Sequence, residues 1–186
     1  MVDNVKDISA WLRRDFEIGG VKLINFITLC EDEKRMVLKW RNSWRVRKWM
    51  FNGEPITENE HFSFIERLKK DNRNFYWMAE INAEPSGVVS FQGMDRRKKV
   101  SYVGIYSVKK GSGRFIMQSL LDLWNDIKSI KTLQVELMST NRRAHEFFKS
   151  LGFQEVGEVR FIGHDNSRKV ISMSLKKRDD GKIHAS

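Results

Sequence analysis

The chain has 186 residues, of which 40% are hydrophobic and 31% charged, and it carries a formal net charge of +10. A chain of this size buries a core without a metal or disulfide staple, and its single cysteine, Cys30, excludes an internal disulfide and argues against a thiolate metal cluster. The first twenty residues mix acids and bases through their apolar positions, so they offer no signal peptide or membrane span and a cytoplasmic chain is expected. The basic balance calls for an anionic partner or a solubilising surface, and the scattered charges alone do not choose between them.

In chain order, residues 1–20 read as an N-terminal extension, 21–176 as one domain and 177–186 as a tail. Thr28 and Glu31 have capping-box spacing, and Met36, Val37 and Trp40 recur at helical intervals, which predicts a helix to about Asn42. "SWRVRKWM" reads as a second short helix. "TENEHFSFIERLKK" opens with a further box, Thr57 and Glu60, before Phe62, Ile65 and Leu68 line one face. The first third therefore reads as helical.

After Asn74 the period changes. "FYWMAEI" and "GVVSFQGM" flank a turn-rich stretch at 82–86 and predict a hairpin, and "KVSYVGIYSV" predicts a third strand. A helix follows from about 113 to 127 with Ile116, Leu120, Trp124 and Ile127 on one stripe. "TLQVELMS" is a strand with Leu133, Val135 and Leu137 on one side and Gln134, Glu136 and Met138 on the other. "NRRAHEFFKSLG" is a helix with Asn141 at its N-cap, Ala144, Phe147 and Phe148 inward and Gly152 as its stop. "FQEVGEVRFIG" and "RKVISMSL" close the chain as a hairpin turned by "HDNS". The order implies an α/β chain (α+β in its mixed sheet) with a βαβ unit around the turn at 108–113.

That turn, "VKKGSG", stands between a strand and a helix. The first amides of a helix lack internal partners and sit at the positive end of its dipole, so they favour an anion. Gly111 and Gly113 would let a phosphate approach, with Lys109, Lys110 and Arg114 adding charge. A plain Gly-Ser-Gly connection has the same letters, but the strand-turn-helix setting is what a phosphate cradle needs. No Gly-Lys-Ser/Thr of a Walker loop is present, and the full G-x-G-x-x-G of a dinucleotide fold is missing.

This strand and G-x-G turn, then the strand carrying Glu136 and the run Asn141, Ala144, Phe147, Phe148, Gly152, Phe153, resemble the GNAT superfamily of acetyl-CoA-dependent N-acetyltransferases. The resemblance spans roughly residues 21–175. It implies a GNAT fold, a mixed sheet of about six to seven strands flanked by about four helices, with two splayed parallel strands at the cofactor site. It implies acetyl-CoA as cosubstrate and no metal. On this pattern Lys110, Gly111, Ser112, Gly113, Arg114 and Phe115 would surround the pyrophosphate, Ile105, Tyr106 and Val108 would lie along the pantetheine arm, and Asn141 would bond it. The chain departs from the pattern at Val108, where the family usually has Gln or Arg, and at Phe148, where many members have a tyrosine that protonates the leaving thiolate.

For the amine, Glu136 reads either as a proton acceptor or as an ion-paired glutamate, and Tyr102 and Tyr106 are further catalytic candidates. Backbone amides at 105–107 could take the oxyanion if that strand carries the family's bulge. "VLKWRNSWRVRKWM" places Trp40, Trp44 and Trp49 among arginines, able to stack a base and clamp a diphosphate or simply to fill a core. The W-R-N segment, His61, Phe64 and Ile65, and Tyr102, Gly104 and Tyr106 are similar to the nucleotide-sugar amine acetyltransferases of pseudaminic acid biosynthesis. That similarity implies a UDP-linked amino-dideoxy sugar as acceptor, acetylated at its 4-amino group, with Arg41, Asn42, Trp49 and His61 as substrate-binding residues. W-R-N also occurs in protein N-terminal acetyltransferases, the alternative acceptor class, and a non-catalytic CoA sensor or nucleic-acid module is the third reading. Without an RNP-like strand or a continuous basic helix face, nucleic acid is disfavoured, no membrane partner is expected, and a homodimer is left open.

Overall fold

The computed structural model describes residues 5–157, 160–162 and 168–177. Its elements run α1 (Val5–Leu12), β1 (Phe16–Ile18), β2 (Val21–Asn25), α2 (Glu31–Asn42), α3 (Trp44–Arg47), α4 (Glu58–Leu68), β3 (Phe75–Ile81), β4 (Glu84–Asp95), β5 (Val100–Ser107), α5 (Ser112–Asn125), β6 (Thr132–Met138), α6 (Arg142–Lys149), β7 (Gln154–Glu155), β8 (Arg160–Ile162) and β9 (Arg168–Lys176). They form one mixed sheet in the order β1-β2-β3-β4-β5-β6-β9-β7, with β8 also on β9. The single parallel pair within it is β5 with β6.

Two apolar layers sandwich the sheet. On one face the α5 stripe, Ile116, Leu120 and Trp124, all fully buried, packs on Trp77, Val89, Phe91, Val103, Leu133 and Val135 together with Phe148 and Phe153. On the other, Val37 of α2 and Ile65 and Leu68 of α4 cover Ile24, Met78 and Val88, with Tyr76 and Tyr106 at the margin. Alternation along each strand feeds the two layers.

The mixed-sheet architecture follows the sequence reading, and several details depart from it. The first third is not all helix: β1 and β2 form a hairpin across Gly19 and Gly20, both at positive φ (59° and 77°), the geometry a tight two-residue turn demands. With these, and with the penultimate strand split into β7 and β8, the sheet has nine strands among the described residues rather than six or seven. Six helices stand among the described residues in place of about four. The expected boundary at Val21 does not mark an edge of the packing, because Ile8 and Leu12 of α1 are buried in the main core and the Trp77 indole donates to Arg14 O at 3.0 Å. α2 is capped at Cys30, whose amide donates to Glu33 at 2.8 Å, while the Thr28 hydroxyl turns back to Asp15 and Asn25. The Thr57 and Glu60 box holds as read: Glu60 N donates to Thr57 Oγ1 and Thr57 N to Glu60. The "HDNS" turn and most of the C-terminal tail lie outside the described residues. Among the described residues, no helix is long and apolar enough to cross a membrane.

The β3–β4 hairpin closes more tightly than predicted, through Asn82 and Ala83 at φ 52° and 59°. A left-handed conformation suits Asn and penalises Ala. Ala83→Gly is therefore expected to raise the unfolding free energy by about 1 kcal/mol, read as a higher urea midpoint at unchanged slope.

Candidate active site

The site is made where β5 and β6 part company. Only three register pairs join them, Val100 with Thr132, Ser101 with Leu133 and Tyr102 with Gln134. Beyond Tyr102 the two strands run on to Ser107 and Met138 without each other. On its other edge β5 stays in register with β4 from Tyr102 to Ser107, and the one irregularity lies between Gln92 and Asp95. β5 carries no bulge at 105–107; the extra residue is on β4, where Gly93 and Met94 stand opposite Ser101. A bulge is not needed to turn an amide into the gap. Val108 N donates to Ser86 O at 2.9 Å, so ladder alternation points the N–H groups of Tyr106 and Gly104 at β4 and those of Ile105 and Ser107 at the opening beside β6.

The opening leads to the N-terminus of α5. Gly111, at φ 87°, ends the turn as N-cap and no side chain caps the helix. The Ser112 hydroxyl donates to Lys109 O at 2.9 Å and its residue is buried, so it braces the turn from within. The amides of Gly113 and Arg114 precede the first intrahelical bond and have no partner among the described residues. A Cβ at Gly113 would meet only Ser107 Oγ at 3.5 Å, so the site is roomy, and that room is what close approach of a phosphate requires. The residues present thus fit a pyrophosphate. Around it, Lys109 pairs with Glu84, the Arg114 guanidinium donates to Ser150 Oγ at 2.9 Å, and Lys110 is exposed with no ion-pair partner among the described residues. Phe115 is 61% exposed, an apolar surface beside the same amides.

Asn141 Oδ1 accepts from Ala144 N at 3.2 Å, as an N-cap does, leaving its amide nitrogen for any other contact. Phe148 is 2% exposed between Phe147 and Phe153. It is a core residue with no proton to give.

The opposite wall comes from α2, the 48–56 segment and β8. Arg41 lies beside Tyr106, donates to Asn52 O at 2.8 Å, and has a buried Nη1 without a partner. Burial pulls this guanidinium below its ordinary range, partly offset by Tyr106. Burial likewise pushes the Tyr106 hydroxyl well above the usual phenol range and Tyr76 to about 12, which favours the protonated form of both. Asn42 clamps Ile56 in both directions, at 2.8 and 2.9 Å, and so holds the α3–α4 connection. Trp49 lies half-exposed with Lys48 5.0 Å from its ring centre, while Trp40 packs on the α2/α4 core. The His61 Nε2 is buried without a partner among the described residues. The residue is 3% exposed between α2 and α4, near the Phe26 and Phe62 rings, and desolvation lowers its pKa.

Glu136 faces the same side as Tyr106, past the point where the strands separate, and Arg160 donates to its Oε2 at 2.7 Å. The ion-paired reading of Glu136 is therefore what the structure shows. Arg160 also lies 5.9 Å from the Phe51 ring centre, and Arg168 donates to the carbonyls of Lys48, Met50 and Phe51, so these two arginines tie β8 and β9 to the α3–α4 segment. Their sequence signal is a basic residue on a predicted strand, within "GEVRFI" for Arg160 and "RKVISMSL" for Arg168. Tyr102 sits elsewhere, in the zipped half of β5, 38% exposed on the open end of the sheet.

A strand pair that parts above an uncapped helix N-terminus defines the architecture of an acyl-coenzyme A transferase. A sequence profile of the acetyltransferase (GNAT) domain matches residues 24–154, and the chain belongs to the GNAT acetyltransferase family. It is 26% identical over 135 residues to Acetyltransferase PseH of Campylobacter jejuni serotype O:2, a match covering 72% of this chain and 84% of that one. The crystal structure of C. jejuni N-acetyltransferase PseH in complex with acetyl coenzyme A superposes with a TM-score of 0.67 at 21% identity, over 85% of this chain and 99% of that one. RimL, a ribosomal L7/L12 α-N-protein acetyltransferase in complex with coenzyme A, gives 0.70 at 14% identity, over 91% and 97%.

Two measurements test this geometry. Gly113→Ala places a methyl group in the open cradle, so it should leave the denaturation midpoint within about 0.5 kcal/mol yet weaken coenzyme A binding tenfold or more by calorimetry. For His61, the folded pKa lies below the unfolded value of about 6.5, so the unfolded chain takes up more protons as pH falls. Its stabilising contribution is full above that value and declines as pH drops towards the folded pKa. Denaturant titrations at pH 7.5, 6 and 5 should show this decline in the parent protein and a smaller one in His61→Gln.

Proposed function

We propose that the protein transfers an acetyl group from acetyl-CoA to the 4-amino group of a UDP-linked amino-dideoxy sugar, by direct attack with both substrates bound. The observation that carries the reading is the convergence of cationic donors at the acceptor mouth: the buried, unpartnered Nη1 of Arg41 and the guanidinium of Arg160 at Glu136. An anionic acceptor suits such a mouth. The matched PseH relative and the W-R-N and Y-x-G-x-Y segments support the same acceptor class.

The coenzyme, when bound, supplies the acetyl thioester. The amides of Gly113 and Arg114 would hold its pyrophosphate at the positive end of α5, with Lys110 adding charge. The amides of Ile105 and Ser107 would receive the pantetheine arm and the negative charge that grows on the carbonyl oxygen. The Asn141 amide nitrogen would bond the same arm. Glu136 takes the proton of the attacking amine, directly or through water, once the incoming amine competes with Arg160 for its carboxylate. Tyr106, held protonated, donates a hydrogen bond and orients the acceptor. Asn42 positions the 52–56 wall. Phe148 cannot protonate the leaving sulfur, and a thiol that ionises near neutral pH can depart as thiolate.

Glu136→Gln is expected to lower kcat by about 10²- to 10⁴-fold with the KM for acetyl-CoA unchanged, and Arg160→Gln to act mainly on the acceptor KM. Mass spectrometry of a UDP-linked aminosugar incubated with acetyl-CoA and the protein should show one added acetyl group. Robust acetylation of peptide N-termini with an untouched sugar would move the assignment to a protein N-terminal acetyltransferase.

A further inference from the structure

A second concavity opens on the acceptor side of the sheet. It has a volume of about 480 Å³, and its floor is the zipped end of β5 and β6, where Tyr102 and Gln134 face out side by side. α2 and α4 cover β2 to β4 and the far end of β5, and among the described residues no helix covers this part of the face. Arg73 and Lys98 stand on one rim and Lys176 on the other. Lys98 follows the end of β4 and Lys176 ends β9, so the rims are three strand spacings apart, about 14 Å. None of the three cations belongs to an ion pair among the described residues. Asp95 is the one carboxylate lining the cavity; its Oδ1 accepts from the amides of Arg97 and Lys98, both at 3.0 Å, and its charge attracts the side chains of Lys98 and Arg73.

We propose that this groove receives the phosphate-bearing end of the acceptor, an inference that rests on the nucleotide-sugar reading above. Gln134 precedes Glu136 by two residues on the same face of β6, about 7 Å along the strand. An acceptor whose amine lies at Glu136 and whose diphosphate follows the sugar along β6 brings its phosphates over Gln134 and Tyr102, between the basic rims. The Tyr102 hydroxyl and Gln134 amide offer donors to phosphate oxygens, and the exposed Tyr102 ring offers a flat surface.

The tryptophan-arginine wall is a weaker place for the diphosphate because Arg47 and Arg168 are already engaged and the unpartnered Nη1 of Arg41 is buried beside Tyr106. The Arg47 guanidinium lies 5.4 Å from the Trp44 ring centre and donates to Gly53 O at 3.0 Å. Arg168 is committed to carbonyls of the 48–51 segment. These contacts hold a wall together, whereas Lys98 and Lys176 hold no carbonyl among the described residues; of the groove cations only Arg73 does, donating to Met94 O at 3.3 Å and Gly93 O at 3.5 Å.

The test is calorimetric titration of UDP into the full chain and into Lys98→Ser/Lys176→Ser, whose altered side chains are exposed, with Tyr102→Leu as a separate variant. UDP affinity should fall tenfold or more in the double variant and measurably in Tyr102→Leu, with acetyl-CoA affinity unchanged. The inference is overturned if the parent does not bind UDP, or if the double variant binds it within twofold of the parent. It is also overturned if the nucleotide-linked amine is turned over with the same acceptor KM in parent and double variant, a result that leaves the acceptor reading intact. Loss of UDP binding in the double variant, in a protein that fails to acetylate the sugar, supports the groove as a nucleotide site and removes the acceptor reading.

Discussion

The protein depends on a short piece of parallel pairing. β5 and β6 are joined over three residues and then separate, and each continues in register on its outer edge, β5 with β4 and β6 with β9. The outer ladders keep both strands rigid while the inner ladder is missing. Polar backbone groups in a sheet interior are costly to leave unmade, so the gap persists as a prepared place for a ligand that supplies hydrogen bonds of its own. The apolar layer beneath, from Val103 and Ile105 to Leu133 and Val135, keeps the two strands from closing differently.

α5 carries the same asymmetry to its two ends. At its C-terminus Lys177 donates to the carbonyls of Trp124, Asn125 and Ile127 and lies 4.8 Å from the Trp124 ring centre, which satisfies the orphan acceptors and complements the dipole. At its N-terminus the amides stay bare. The helix is thus anchored at one end and reactive towards anions at the other. Its buried stripe fixes how that open end meets the strand gap.

Charge is distributed by a related logic. The first third supplies six arginines, and three of them hold carbonyls: Arg13 on Asp71, Arg41 on Asn52, Arg47 on Gly53. Arg13 and Arg41 each also leave a buried nitrogen over, Nε and Nη1, and that of Arg41 lies next to Tyr106. The acceptor side therefore combines a stiff wall with a few unspent donors, and the difference between them is invisible in composition.

Much of this was legible in the residues themselves. Period-2 alternation marked β3, β5 and β6. The stripe at Ile116, Leu120 and Trp124 marked α5, and Thr57 with Glu60 marked the start of α4, because these signals are local and backbone geometry reads them directly. The GNAT resemblance likewise rested on a contiguous turn and helix. The β1–β2 hairpin was also written locally, in Gly19 and Gly20, and was overlooked beside stronger helical signals. That His61 is buried could not be read locally, because a histidine in a motif does not say which side of α4 faces the core.

What the sequence determined alone is the order of elements, the open anion-seeking end of α5 and the face on which Glu136 stands, since each follows from neighbours within a few residues. What only the tertiary structure decided is that Arg160 meets Glu136, that Phe148 is core, that α1 joins the domain and that Tyr102 belongs to a separate groove. Those outcomes depend on contacts between residues far apart in the chain, and such contacts are set by how sheet and helices pack rather than by any local pattern.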